Sequence, residues 1–374
     1  MRVVYSIGSR LGGGGIGNTA CQAARGIWQA GRLARLLCLG HEPCGIPPEL
    51  IESFWFPSAH ILRLPRHAYW RLKDWAFDRW AARRLPDNFD VFHGWNSHCL
   101  SSLGRARAAG AVTVVERGSA HPAVQARLLE EECRRFGLRV PRGLARLAER
   151  CVAECAIADC VHVPSFFCRE SFLGQGFPAA RLAVSPYGVD LARFAPRPLP
   201  AAFTVLFVGE VGLRKGALDL LEAWARLGLS DSRLVLCGGI EPAIAGRLDA
   251  YRRRCIFETP GFTADVAAAY ADASVLVLPA IEDGFPLVVL EAMACGRPVV
   301  VSENTGSKDA IEPGVSGLVV PIRSPDAIAE RLQWLHDHPA ELAAMGAAAR
   351  RAAEKYPWER HGADLVALYE GLLR

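Results

Sequence analysis

The sequence predicts an α/β protein of two Rossmann-like halves, and three observations carry that expectation. Each half opens on a strand, a glycine-bearing turn and a helix: Arg2-Val-Val-Tyr-Ser-Ile7, then Gly8 to Gly17, then helix formers from Asn18 to Ala30; and Phe203-Thr-Val-Leu-Phe-Val-Gly209, then Glu210 to Gly216, then an amphipathic helix from Leu218 to Trp224. A further unit, Ala273-Ser-Val-Leu-Val-Leu278, is a short continuous apolar run of the kind a buried parallel strand makes, followed by a polar loop and good helix formers from Leu287 to Ala294. The 374 residues suit two domains of ordinary size, and 51% hydrophobic against 22% charged residues excludes a largely disordered chain.

The elements follow in chain order. Four consecutive glycines, Gly12 to Gly15, let a ligand approach the backbone and leave amides free for phosphate oxygens, which makes Gly14 and Gly15 candidates. The loop has neither a Walker spacing nor a clean dinucleotide fingerprint, so a flexible connection is the competing reading. Residues 53–85 interleave Phe54, Trp55, Phe56, Tyr69, Trp70, Trp75, Phe77 and Trp80 with seven cations, Arg63, Arg66, Arg71, Lys73, Arg79, Arg83 and Arg84, against Asp74 and Asp78. That pattern fits a membrane-surface contact or a dock for a lipid-linked molecule, and equally an amphipathic helix whose Tyr69, Leu72, Ala76 and Trp80 face the core. Phe89-Asp-Val-Phe92 is a strand that delivers His93-Gly-Trp-Asn-Ser-His98 to its carboxyl edge. Val112-Thr-Val-Val-Glu-Arg-Gly-Ser-Ala-His121 repeats strand then polar loop, so Glu116, Arg117, Ser119 and His121 are candidates for a facing, acceptor side.

Pro186, Pro196, Pro198 and Pro200 mark a junction too rich in proline for regular structure, which places the domain cut at 1–185 and 186–355. Tyr356-Pro-Trp358 breaks the chain again before a last helix in 356–374. The net charge of +4 is too small to argue for nucleic acid. No stretch approaches the roughly 20 apolar residues of a membrane span, and the N-terminus reads as a strand rather than a signal peptide, so a cytoplasmic protein is expected. None of the twelve cysteines forms a C-x-x-C pair, and Cys151, Cys155 and Cys160 lack histidines at ligand spacing; reduced, buried thiols and no metal are expected.

The densest chemistry is Asp283-Gly-Phe-Pro-Leu-Val-Val-Leu-Glu291, which sets two carboxylates about a turn that opens a helix at a strand's carboxyl end. In an open α/β sheet ligands bind at that edge, where helix amides receive phosphate or hydroxyl oxygens and acceptor-only carboxylates bind hydroxyls. This motif, continuing as Ala292-Met-Ala-Cys-Gly-Arg-Pro298, resembles the paired-acid motif of the retaining GT-B glycosyltransferases, the group 1 family that includes glycogen-synthase-like and polysaccharide- and lipopolysaccharide-assembly enzymes. Glu210-Val-Gly-Leu-Arg214-Lys215-Gly216 resembles the same family's diphosphate turn. The resemblance extends to Val184-Ser-Pro-Tyr-Gly-Val-Asp190, Glu303-Asn-Thr-Gly306 and Gly314-Val-Ser-Gly317-Leu-Val-Val-Pro321.

The resemblance implies a GT-B fold, a nucleotide-diphosphate sugar as donor, a glycan or lipid-linked acceptor, and no cofactor or metal. It implies that Arg214 and Lys215 stabilise the leaving phosphate, that Glu291 holds ribose hydroxyls, and that Asp283 holds a hydroxyl of the transferred sugar. Gly209, Gly284, Phe285, Pro286 and Leu287 would complete the donor site, the glycine loop would face the diphosphate, and the last helix would cross back onto the first domain. His93 and His98 match the two histidines that bracket this stretch in glycogen-synthase-like relatives, the second near the reacting sugar. Three positions depart from the pattern: Asp283 stands where glutamate is usual, with Glu282 as the alternative contact; Glu210 stands where many relatives have arginine; and Pro286 removes an amide. Sugar-nucleotide epimerisation on the same fold, and a catalytically degenerate partner subunit, are the alternative functions.

Overall fold

The computed structural model describes residues 1–263 and 265–374; the side chains of His60, Arg66 and His67 are outside the described set, and with them the cation expected at Arg66. The first sheet comprises β1 (Val3–Ser6), β2 (Leu33–Cys38), β3 (Ile51–Ser53), β4 (Val91–Trp95), β5 (Val112–Glu116), β6 (Cys160–Val163) and β7 (Leu182–Val184) in the order β3-β2-β1-β4-β5-β6-β7. The second comprises β8 (Thr204–Val208), β9 (Arg233–Cys237), β10 (Glu258–Gly261), β11 (Val275–Leu278), β12 (Val299–Ser302) and β13 (Leu318–Val320) in the order β10-β9-β8-β11-β12-β13. Every pairing is parallel. Val-Val-Tyr-Ser, Val-Leu-Val-Leu and Val-Val-Val-Ser are buried throughout, as strands covered by helices on both faces must be. The two α/β halves are as expected.

In such sheets the strand order reverses between β1 and β4 and again between β8 and β11, and ligands collect outside the carboxyl ends at those points. The glycine loop and the 96–98 turn therefore stand at one switch point, and the 209–216 and 279–286 loops at the other. Helix Gly15–Gln29 begins three residues earlier than its pattern suggests, because Gly12 to Gly15 all adopt positive φ and Gly14 serves as an N-cap that no β-carbon obstructs.

One buried side chain ties the end of the linker to the second domain: Arg297 donates to the carbonyls of Tyr270 (2.9 Å) and Ala271 (3.0 Å) and to those of Arg197 (2.9 Å) and Pro198 (3.0 Å) in the proline-rich segment. The last helix, Trp358–Leu372, leaves the second domain at Trp358 and packs on helix Gly15–Gln29 of the first. Gly26 and Gly362 meet there: a β-carbon on Gly26 would lie 2.6 Å from the Gly362 Cα.

Helix Arg66–Arg83 does form, but a different face is inward from that expected. Phe77 and Ala81 are buried with Phe89, Phe92 and Leu103, while Leu72 is 40% exposed and Tyr69 and Trp80 pack against Phe56 and Phe54 at the rim. The reason is Asp78, whose carboxylate accepts from the Ser101 (2.8 Å) and Ser102 (3.0 Å) amides and the Ser102 hydroxyl (2.9 Å), capping helix Leu100–Ala108 from a neighbouring element. Satisfying those amides rotates the helix so that Lys73 turns inward with Phe77.

Gly362→Leu forces the two helices apart and is expected to cost about 1–3 kcal/mol through overpacking. Gly104→Ala, on an open face of helix Leu100–Ala108 with nothing within 4 Å of the added carbon, is the control and is expected to be neutral or stabilising. Thermal melts of the two variants check this, and a Gly362→Leu protein as stable as wild type would show that the helix crossing contributes little.

Candidate active site

On the second domain, β8 is followed by Gly209 (φ 138°), and the chain turns through Glu210 to Gly216 into helix Ala217–Leu227. Only glycine fits position 216, where φ is 71° and a β-carbon would lie 1.9 Å from the Pro279 carbonyl oxygen. That close approach brings the end of the turn against the loop after β11. Lys215 Nζ forms an ion pair with Asp283 Oδ2, while Arg214 Nη1 donates to the Glu282 carbonyl oxygen (3.0 Å) and lies 3.9 Å from Asp283 Oδ2. Burial pushes the Lys215 ammonium below its ordinary value, and Arg214 adds to this while Asp283 opposes it. Asp283 is fixed in turn by its backbone, its N–H donating to the Asn304 carbonyl (3.1 Å) and its carbonyl accepting from Gly306 (2.8 Å).

Helix Leu287–Ala294 follows, with Pro286 as its N-cap residue. The Leu287 and Val288 amides have no intrahelical partner, whereas the Val289 amide donates to the Pro286 carbonyl (3.2 Å). Pro286 has its carbonyl held by the Ser307 hydroxyl (2.9 Å), and Phe285 points away from solvent between Tyr187 and Tyr356. Glu291, one turn along, accepts from the Tyr270 hydroxyl at 2.8 Å; burial raises its pKa, and Tyr270 and Arg193 oppose that rise. Glu210 is exposed.

The two domains meet over this loop. A β-carbon on Gly284 would lie 2.3 Å from the Gly118 carbonyl oxygen, and the Gly284 carbonyl accepts from the Ser165 hydroxyl at 2.7 Å. Glu282 is fully buried, its Oε1 accepting from the Ala120 amide (2.8 Å) and its Oε2 from Gln125 Nε2 (2.7 Å). The carboxylate expected to alternate with Asp283 as a donor contact is therefore engaged by the first domain. Arg117 shapes the segment that Glu282 grips, donating to the Ala120 carbonyl (3.0 Å), Asn96 Oδ1 (3.1 Å) and Gln125 Oε1 (2.8 Å). Ser119 lies where a β-carbon on Gly284 would approach its amide nitrogen to 2.7 Å. Arg135 with Asp219 (2.6 Å) and Arg323 with Glu132 (2.8 Å) extend the contact along helix Pro122–Arg135.

Three residues expected on the acceptor side are structural instead. Glu116 Oε2 lies 2.5 Å from His162 Nδ1 and 3.2 Å from His93 Nε2, and Oε1 accepts from the Tyr187 hydroxyl at 2.6 Å. His93 Nδ1 is 2.5 Å from the Tyr369 hydroxyl of the last helix. All of these side chains are inside the molecule, beneath the sheet edge rather than at it. Burial alone would push the Glu116 carboxyl up; His162 and His93 outweigh it and hold the group well below the usual carboxylate range. His93, Glu116 and His162 form the one cluster among the described residues with metal-ligand proximity, yet their atoms hydrogen-bond one another. His121 caps helix Pro122–Arg135, its Nδ1 accepting from the Ala123 amide (3.3 Å), and its ring packs on Phe172.

His98 does reach the carboxyl edge, lying against Gly8 at the start of the glycine loop. Gly14 and Gly15 are exposed with open space where a β-carbon would project. Lys73, Asp74 and Tyr270 belong to this surrounding but were not expected there; the signal for Lys73 is its rarity, one of four lysines beside 39 arginines.

Two family models match the chain: glycosyltransferase family 4 over residues 13–193 and glycosyl transferases group 1 over residues 202–338. A colanic acid biosynthesis glycosyltransferase, WcaL of Escherichia coli (strain K12), is 33% identical over 173 residues, which are 42% of this chain and 43% of the relative. The chain thus spans less than half the length of that curated relative in the match. Among solved structures, sucrose-phosphate synthase from Thermosynechococcus elongatus superposes with a TM-score of 0.76 at 22% identity, covering 100% of this chain and 99% of the other. Anabaena HepE in complex with UDP-glucose superposes with a TM-score of 0.70 at 16% identity over 99% and 100% of the two chains. The structures establish the two-domain fold and the family models take in most of each domain: the chain belongs to the glycosyltransferases of the GT-B type.

Proposed function

We propose that the protein is a retaining glycosyltransferase that moves a sugar from a nucleotide-diphosphate sugar to a hydroxyl of a glycan or lipid-linked acceptor in cell-surface polysaccharide assembly, without a metal. The observation that carries this reading is the cluster of Arg214, Lys215 and Asp283 at a switch point, with free helix amides beside it and Glu291 one turn beyond. Departure of a nucleoside diphosphate builds negative charge on its phosphates. Two partly buried cations and helix-terminal amides, fixed before the reaction, stabilise that charge without reorganisation. Asp283, which holds Lys215 in the free protein, is placed to accept from a sugar hydroxyl when the diphosphate takes over the ammonium, and Glu291 to accept from ribose. Retention follows if the acceptor hydroxyl arrives on the leaving group's side and loses its proton to a diphosphate oxygen, so no side-chain nucleophile is required.

The acceptor's setting is suggested by the outer face of helix Arg66–Arg83. Trp75 is 50% exposed between Arg71 and Arg79, which follow at helical four-residue spacing, and Trp70 and Trp55 are 46% and 77% exposed nearby. Exposed tryptophans among arginines suit the interface of an anionic membrane, which supports a cytoplasmic protein peripheral on the membrane's inner face. WcaL's name and the lipopolysaccharide enzymes of this fold point to the same class of product.

A nucleoside diphosphate present at 100 times its dissociation constant is expected to stabilise the protein by about 2.7 kcal/mol. UDP, GDP and ADP are screened by thermal shift; Lys215→Ala is expected to weaken binding roughly tenfold to a hundredfold through loss of a charged hydrogen bond. Glu291 binds hydroxyls as the carboxylate and has a raised pKa, so affinity falls as pH drops through that raised value, and Glu291→Gln removes the pH dependence along with part of the affinity. No shift with any nucleotide in the wild type would remove the donor-site assignment. For the membrane, the wild type is expected to sediment with vesicles of mixed phosphatidylglycerol and phosphatidylcholine at low salt, and a Trp75→Ser, Arg79→Gln double variant to remain in solution; equal sedimentation of the two refutes the assignment of this face.

A further inference from the structure

Gln125 stands in helix Pro122–Arg135 of the first domain, outside the family motifs, yet it touches the loop that carries Asp283. Its carboxamide is fixed from both sides. Oε1 accepts from Arg117 Nη2 at 2.8 Å, and Nε2 donates to Glu282 Oε2 at 2.7 Å. A guanidinium can only donate and a carboxylate can only accept, so one orientation of the amide satisfies both neighbours. A glutamate at this position would face a second carboxylate, and a lysine a second cation. Arg117 is itself held by the Ala120 carbonyl (3.0 Å) and Asn96 Oδ1 (3.1 Å), and Asn96 Nδ2 by Glu154 (2.8 Å) of helix Leu144–Ile157. The place of Gln125 is therefore set from well inside the first domain.

Glu282, the residue that Gln125 holds, is fully buried. Its Oε1 accepts from the Ala120 amide at 2.8 Å and its Oε2 from Gln125, while Arg214 Nη1 lies 3.4 Å from the same Oε2, longer than a charge-assisted hydrogen bond. Nη1 instead bonds at 3.0 Å to the Glu282 carbonyl oxygen, and Nε and Nη2 of Arg214 have no hydrogen-bond partner among the described residues. A carboxylate removed from water must be met by donors. Two of its donors belong to the first domain, and the group nearest to the place of Gln125 on Oε2 is the Arg214 cation. What Gln125 gives up, Arg214 is placed to take.

We propose that Gln125 is a positioning residue for the sugar-nucleotide site: by occupying Glu282 Oε2 it keeps that carboxylate from capturing Arg214 and leaves the guanidinium free for the phosphates of the sugar nucleotide. Without the Gln125 N–H, Oε2 turns to Arg214 Nη1, and the separation of 3.4 Å closes to the roughly 2.8 Å of a charged N–H···O bond. Glu282 and a diphosphate then compete for one cation. The role of Arg214 toward phosphate rests on the reading of this loop pair as the site of a nucleotide-diphosphate sugar; the competition of Gln125 and Arg214 for Glu282 rests on the contacts alone.

Gln125→Met, which keeps the length of the side chain and loses the N–H, is tested in two ways on the full chain, with Gln125→Ala as a second variant that makes no packing demand. In the first, crystal structures of the wild type and the variants are compared. The variants are expected to bring Glu282 Oε2 to about 2.8 Å from Arg214 Nη1, and a separation no shorter than in the wild type overturns the proposal. In the second, dissociation constants for UDP, GDP and ADP are measured by calorimetry. For the nucleotide that the wild type binds, Gln125→Met is expected to weaken binding roughly tenfold, the worth of one hydrogen bond to a charged group. The same substitution in a Glu282→Gln background, where no carboxylate is left to capture Arg214, is expected to change binding by less than about twofold. Equal affinity of the wild type and Gln125→Met overturns the proposal, and so does an equal loss in both backgrounds, which traces the effect to a loosened domain contact. If the wild type binds none of the three nucleotides, the reading of the site as one for a sugar nucleotide fails with the phosphate role of Arg214, and the crystal structures alone decide whether Gln125 holds Glu282 away from Arg214.

Discussion

The buried Glu116 carboxylate is the interaction on which the arrangement of the chain depends. A charge taken out of water must be met by donors, and here it is met by three drawn from separate parts of the sequence: His162 on β6, His93 on β4 and Tyr187 on the linker. His93 passes the constraint on, because a ring that donates Nε2–H to Glu116 accepts at Nδ1 from Tyr369 of the last helix. One anion thereby sets the relation of three parallel strands, the start of the linker and the returning helix. Removing a single partner would leave an uncompensated charge in the interior, so the linker and the last helix are held to the first sheet by electrostatics as well as by the Gly26–Gly362 packing.

That network also bears on how much of the arrangement is legible in the sequence. The approach of Arg214 and Lys215 to Asp283 was legible because it is local: a basic glycine turn and the acids before a helix occupy two short segments, each at a strand's carboxyl end. His93, Glu116 and His121 were not legible as structural residues. In a parallel sheet covered on both faces, polar residues near a strand's end look alike in sequence whether they point into the cleft or into the covering layer. His93 lies within β4 and Glu116 is the last residue of β5, and both take the inner position, whereas His98, past the end of β4, takes the outer one. For His121 the missing information was its helix, which needed an N-cap acceptor where the sequence shows only histidine before proline.

Helix Arg66–Arg83 shows the same limit from the other direction. A hydrophobic-face argument assigns Tyr69, Leu72, Ala76 and Trp80 to the core because it counts apolar side chains, but the helix is turned by Asp78, a charged residue with three hydrogen bonds to make. Once Asp78 is inward, Lys73 and Asp74 follow it, and the apolar residues displaced outward are tryptophans and a leucine among arginines. The exposed aromatic face and the inward Lys73–Asp74 pair are two results of one rotation.

Glu282 and Asp283 show how the second domain's loop meets both the Arg214–Lys215 turn and the first domain. Asp283 meets Lys215, while Glu282 reaches Ala120 and Gln125 of the first domain and also lies 3.4 Å from Arg214 Nη1. Gly284 then has no side chain, allowing the Gly118 carbonyl to come within contact of its backbone. The Asp-for-Glu departure at position 283 acquires a physical meaning in this setting. The shorter acid, its backbone braced by Asn304 and Gly306, is already in contact with the Lys215 ammonium. Because the residue that meets Lys215 and the residue that grips the first domain are consecutive, any movement of this loop is felt at the domain contact.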